Sequence, residues 1–226
     1  MSIRSQEQVA LLTDYDIGSA YSAAYYTFYT NIRFNWNTEQ RIHTLLLTPP
    51  AHYAAQAAVA ANTAIVAARS GMPTILVDAD LRTPSLEQRF GLDKRAGFSD
   101  LLTEAEESIT TEKVQEHLKE TFVAGLRVLG AGTAVEGPIL LLSTKLQRVI
   151  RQISLLLSEG ENATGVVIFN SPPVLAGPDA SLIGALVEQT ILTIGTGHTT
   201  RLQAKQAQEQ LERAHVNLVG IVMLDF

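Results

Sequence analysis

Six short runs of this chain, residues 43–47, 74–77, 126–129, 166–169, 190–194 and 218–224, are apolar along most of their length. A strand with one wet face alternates apolar and polar residues, whereas a strand covered on both faces need not. The runs therefore predict strands of a mostly parallel sheet with helices on both sides. The intervening segments 54–70, 85–90, 138–158, 179–187 and 199–214 read as helices. Gly71, Gly91 and Gly160 stand at the ends of the first three, where glycine supplies a left-handed cap without a steric penalty. Residues 17–33 predict a further helix ahead of the first strand, with Tyr21, Tyr25, Phe28 and Ile32 on one stripe. Strands alternating with helices, joined by right-handed crossovers, give an α/β fold: a doubly wound, Rossmann-like three-layer sandwich. Function on such a sheet lies at the carboxyl ends of its strands. Here those ends carry TPPAHYAAQAA, DADLRTPSL and NSPPVLAGPDA.

The 226 residues suit one core, expected as a flexible leader over 1–16 and a single domain over 17–226. Lys and Arg number 17 and Asp and Glu 23, a net charge of −6, which argues against a nucleic-acid partner. The absence of cysteine excludes disulfides, thiolate zinc sites and thiol catalysis, and is compatible with a reducing cytosol. The N-terminus lacks the apolar stretch of a secretory signal. The charge-free stretch 42–68 contains Thr48-Pro49-Pro50, His52, Gln56 and Asn62 and is a poor membrane span, so a soluble protein is expected. The histidines at 43, 52, 117, 198 and 215 show no metal-ligand spacing; only His52, in the turn after the first strand, invites a test. Asn162-Ala163-Thr164 matches a glycosylation acceptor but reads as a loop.

Several segments together resemble one family. ILVDADLRTPSLEQRFGL, GFSDLL at 97–102, LRVLGAG at 126–132 and VVIFNSPPVL occur in that order, after AYYTFYTNIRF and HTLLLTPP. Over about residues 17–224 the chain is similar to the kinase domain of the bacterial tyrosine kinases (BY-kinases) of capsular and exopolysaccharide biosynthesis. These are a branch of the MinD/ParA-type P-loop proteins, so the resemblance implies a P-loop NTPase-like sandwich. It also implies a site for ATP and Mg²⁺, with Asp78, Asp80 and Arg82 in the second Walker motif.

The departures from the family pattern fall on the chemistry. A P-loop needs glycines to turn backbone N–H groups onto phosphates, a lysine for the β/γ-phosphates and a hydroxyl for Mg²⁺. Here Ala51 and Ala55 stand at the glycines, Gln56 at the lysine and Ala57 at the hydroxyl. Left-handed backbone costs a non-glycine residue about 1–2 kcal/mol, so the turn is expected to take another shape. At the Walker B position the family's acidic residue is replaced by Asn170, and an amide is a weak substitute for a carboxylate around a metal. In the first helix the family's self-assembly motif E-x-x-R-x-x-R is replaced by Ala23, Tyr26 and Tyr29. Tyr26 and Tyr29 are expected as an aromatic contact surface, in a monomer or homodimer and not the family's ring.

For Asp78 and Asp80, a weak Mg²⁺ half-site competes with a plainer reading. In that reading Asp80 caps the following turn and Arg82 pairs with one of the two carboxylates. The resemblance and the departures together imply a catalytically degenerate kinase-like protein, a pseudokinase, without a bound cofactor. It would serve exopolysaccharide, capsule or lipopolysaccharide biosynthesis as a regulatory or scaffold module. Its partner would be a membrane polysaccharide chain-length regulator or an active BY-kinase, and its place the cytoplasm, at the inner face of the membrane through that partner. The alternatives are an active autokinase with relocated catalytic residues and a ParA/MinD-like positioning protein.

Overall fold

The computed structural model describes residues 11–225 apart from 17, 54, 135–136 and 159–162. The expected start of a helix at Ala54, the Gly160 stop, the Asn162 acceptor and the first ten residues of the leader lie outside the described residues. The elements run α1 (Ala20–Phe34), β1 (Ile42–Thr48), α2 (Gln56–Arg69), β2 (Thr74–Asp78), α3 (Leu86–Arg89), α4 (Phe98–Thr103) and α5 (Thr111–His117). They continue as β3 (Leu118–Glu120), β4 (Leu126–Leu129), α6 (Lys145–Leu155), β5 (Gly165–Asn170), α7 (Asp179–Gly184), β6 (Gln189–Gly195), α8 (Arg201–Arg213) and β7 (Leu218–Leu224). The sheet has strand order β3-β4-β2-β5-β1-β6-β7. Every neighbouring pair is parallel except β3 with β4.

The pleat sorts each apolar run onto two faces. Leu45, Leu47, Leu76, Val128, Val166 and Ile168 join α1 and α2 in one core, whereas Leu46, Ile75, Val77, Leu129, Val167 and Phe169 join α4, α6 and α7 in the other. This is the expected three-layer, doubly wound, P-loop NTPase-like sandwich. Every residue of α2 from Gln56 to Ala68 is buried. An alanine-rich helix with no charge before Arg69 can lie against the sheet on one side and under α1 on the other.

Four differences from the sequence-based expectation have local causes. Residues 138–158 are not one helix: a 3-10 segment, Gly137–Leu142, precedes α6. Between them the Ser143 hydroxyl accepts from the Lys145 N–H at 3.2 Å, a local bond that competes with the helical ladder. The segment containing α5 and β3 was not foreseen, because Leu118-Lys119-Glu120 is too short and polar to show as an apolar run. Residues 11–16 do not behave as a loose leader: Leu11 and Leu12 are buried, and Asn62 Oδ1 on α2 accepts from the Leu12 N–H at 2.8 Å. Finally, the inward stripe of α1 is Ser22, Tyr25, Tyr29 and Ile32. Tyr29 is 2 % exposed and its ring meets Trp36 edge-on at 6.0 Å. It therefore belongs to the core and not to the expected Tyr26/Tyr29 contact surface, and Tyr26 is half-buried and packs against the same core.

Candidate functional site

Strand β5 lies between β1 and β2, so the carboxyl ends of these three strands meet. The two Pro-Pro turns that leave β1 and β5 are joined: Val174 N–H donates to Pro49 O at 2.9 Å and Leu175 N–H to Pro50 O at 3.1 Å. The Thr48 hydroxyl donates to Pro172 O at 3.0 Å. Both prolines lack an N–H of their own, which leaves their carbonyls as the groups that other segments can bind.

Asp78 and Asn170 are register partners on β2 and β5, so their side chains point the same way. Asn170 Nδ2 donates to Asp78 Oδ1 at 3.0 Å, and Oδ2 accepts from the N–H groups of Ser85 and Leu86, both at 3.0 Å. Asp78 is fully buried. Burial pushes its carboxyl up to about 6; the bonds from Leu86, Asn170 and Ser85 pull it down, and the Asp80 charge adds to the rise. Asp80, 1 % exposed, is satisfied in the same manner. Its Oδ1 accepts from Arg82 N–H at 3.1 Å and Thr83 N–H at 2.9 Å; its Oδ2 accepts from the Thr83 hydroxyl at 2.8 Å and Gln56 Nε2 at 3.1 Å. Asp80 and Asp78 thus each take an amide from a side chain of another element, Gln56 and Asn170 respectively.

Asp80 caps its turn, as the plainer reading has it, but the partner of Arg82 is different. Arg82 donates through Nε at 3.2 Å and Nη2 at 2.9 Å to Asp179 Oδ2 at the start of α7, not to Asp78 or Asp80. No sequence signal marked Asp179, because 97 residues separate it from Arg82. In the turn after β1, Ala55 has ordinary right-handed backbone, φ −87° and ψ −5°. His215 is the sole non-glycine residue with positive φ among the described residues, so Ala51, His52, Tyr53 and Ala55 take no left-handed conformation.

Tyr53, which sequence reasoning missed, is buried there. Its hydroxyl donates to Thr193 Oγ1 on β6 at 3.0 Å, and a Cβ added at Gly195 would stand 3.3 Å from its ring. Burial pushes that hydroxyl up to about 12. Ala51 is half-buried, His52 exposed and Ala57 buried. Among the described residues no three His, Cys, Asp or Glu side chains are grouped to hold a metal ion.

GFSDLL and LRVLGAG also come together. Phe98 N–H donates to Gly130 O and Ser99 N–H to Ala131 O. Asp100 accepts from Gly97 N–H at 2.7 Å and from the Thr133 N–H and hydroxyl at 2.8 and 2.7 Å. Burial alone would raise the Asp100 carboxyl, but these bonds hold it below the usual carboxylate range.

No family model matches the chain. It is 30% identical over 220 residues to the tyrosine-protein kinase YwqD of Bacillus subtilis strain 168, covering 97% of this chain and 86% of YwqD. Among solved structures, the kinase domain of the Escherichia coli tyrosine kinase ETK superposes with a TM-score of 0.75 at 22% identity, covering 90% of this chain and 74% of that one. The septum site-determining protein MinD of Pyrococcus horikoshii, solved with Mg-ADP, superposes with a TM-score of 0.64 at 18% identity over 80% of this chain and 70% of that one.

Proposed function

As the chain belongs to the bacterial tyrosine-protein kinase family, we propose that it is a catalytically silent member, a pseudokinase of exopolysaccharide or capsule biosynthesis. It works as a regulatory or scaffold module beside a membrane polysaccharide chain-length regulator or an active kinase of the same family. The observation that carries this reading is the pairing of Gln56 with Asp80 and of Asn170 with Asp78. Phosphoryl transfer depends on positioned cations that stabilise the charge of the transferred group. Here the lysine position holds a neutral amide turned onto a carboxylate, and the hydroxyl position holds Ala57. All four oxygens of Asp78 and Asp80 already accept internal donors. This set of side chains does not suit ATP·Mg²⁺. A MinD-like positioning role would need the same nucleotide. No described helix is long and apolar enough to cross a membrane.

The expected result with nucleotide is small. At roughly 1 mM ATP·Mg²⁺ and a Kd no tighter than that, stabilisation stays below about 0.4 kcal/mol, a melting shift under about 2 °C. A larger shift in differential scanning fluorimetry, or autophosphorylation of any tyrosine, overturns the reading. Gln56→Lys alone should not restore ATP hydrolysis, because Ala51, Ala55, Ala57 and Asn170 each remove a separate part and such parts act as a unit. Phosphate release by this single variant would show that the turn already has P-loop shape.

A further inference from the structure

The six tyrosines sit in unlike places. Tyr25, Tyr29 and Tyr53 are buried and Tyr21 and Tyr26 half-buried; only Tyr15 is exposed, at 42 %. Tyr21, Tyr25, Tyr26 and Tyr29 are held in α1, whereas Tyr15 lies between a 3-10 turn, Leu12–Asp14, and α1. Its backbone is extended, with φ −117° and ψ 149°, and Asp14 and Asp16 flank it, both exposed. Phosphoryl transfer requires the acceptor oxygen to approach the γ-phosphorus in line. An extended, exposed tyrosine can enter a kinase cleft in that pose, whereas the tyrosines of α1 are buried or half-buried.

We infer that Tyr15 is a phosphorylation site, modified in trans by an active tyrosine kinase, and that the phosphate releases residues 11–15 from α1 and α2. The inference rests on the reading that this chain works beside such a kinase. In the step, Tyr15 Oη forms a bond to the γ-phosphorus of ATP supplied by the partner. The bond from that phosphorus to the β–γ bridging oxygen breaks, ADP leaves, and the phenolic proton passes to a base of the partner.

The release follows from the contacts. The Tyr15 ring lies 4.4 Å from that of Tyr21 at 32°. The Tyr21 hydroxyl accepts from Asn62 Nδ2 at 2.9 Å, and Asn62 Oδ1 accepts from Leu12 N–H at 2.8 Å. Leu12 itself is fully buried. One chain of contacts thus joins Tyr15 to the anchor of its own segment. A phosphate of roughly −1.5 to −2 charge at pH 7 would stand between two aspartates on that ring. Arg89, whose charge reaches Tyr21 and Tyr25, is also engaged by Asp78. Repulsion from Asp14 and Asp16 therefore favours the open segment.

The test uses the full chain, ATP·Mg²⁺ and the active ETK kinase domain, with phosphosites mapped by mass spectrometry and backbone amide exchange followed at Leu12. One phosphate on Tyr15, none on the Tyr15→Phe variant, and a roughly tenfold faster Leu12 exchange after modification are expected. With ETK present, no phosphate on Tyr15, or earlier phosphate on Tyr26, overturns the site. Phosphate on Tyr15 with unchanged or slower Leu12 exchange overturns the release. A parallel incubation without ETK reads the silent-kinase proposal separately: phosphate there sinks that proposal, while the Tyr15 assignment stands or falls on the arm with ETK.

Discussion

Asn170→Asp should destabilise the protein at neutral pH by about 3–5 kcal/mol. For a chain of this length that is a fall in melting temperature of roughly 10 °C. Asn170 is 2 % exposed and its amide donates to Asp78 Oδ1 at 3.0 Å. The substitution turns that donor into a second carboxylate on a neighbouring strand, facing an oxygen it must now repel. The Arg89 charge reaches Asp78 and offsets only part of this repulsion, and the Gln56 amide is committed to Asp80. Two like charges at that distance cannot both stay ionised, so one carboxyl must hold a proton at pH 7. Lowering the pH towards 5 supplies that proton and should restore much of the loss. Chemical denaturation of both proteins at pH 7 and pH 5 measures it. Equal stability at pH 7 would mean that the site admits a cation or water, and the closed network would no longer support a silent kinase.

Much of the fold was legible because burial on two faces leaves a plain record. The runs around Leu45–Leu47, Ile75–Val77 and Val167–Phe169 could serve only a covered sheet, and the charge-free α2 only a covered helix. The parts that escaped were local or long-range. Whether Ser143 would break the helix expected over 138–158 depends on one side-chain bond. The face of α1 turned wholly on phase: Tyr25 and Tyr29 are four residues apart, as are Tyr21 and Tyr25, and either pair makes a helical stripe. Gln56 and Asn170 stood out as departures that the resemblance implied. That each donates an amide to an aspartate of the DAD segment was not visible, since sequence carries no distance between residues 24 or 92 positions apart. Tyr53 and Asp179 had no signal beyond their neighbourhood in turns after strands.

The buried Asp78 also makes stability depend on pH in the sense opposite to that of an ordinary salt-bridged aspartate. Its carboxyl rises from 3.8 to about 6 on folding, burial being the main cause. A raised carboxyl binds a proton more tightly in the folded state. Its contribution is therefore fully present below the unfolded value and is lost as pH climbs through the folded one. A displacement of that size corresponds to on the order of 3 kcal/mol. Asp78→Asn isolates the effect. Its Oδ1 can take the Ser85 and Leu86 N–H groups that Asp78 Oδ2 now takes. Asn170, turned about its last side-chain bond, can offer its oxygen to the new amide. The variant carries no charge at any pH, so its stability relative to the parent should improve by on the order of 2 kcal/mol between pH 4.5 and 7.5. The change should rise steadily up to about pH 6 and level off above it. Urea denaturation of the two proteins across this range reads the difference directly, and groups common to both cancel. A gap that stays constant with pH would mean that Asp78 keeps its ordinary acidity in the folded protein. A gap that moves the other way would mean that the folded protein favours the ionised Asp78, against the burial that raises its carboxyl.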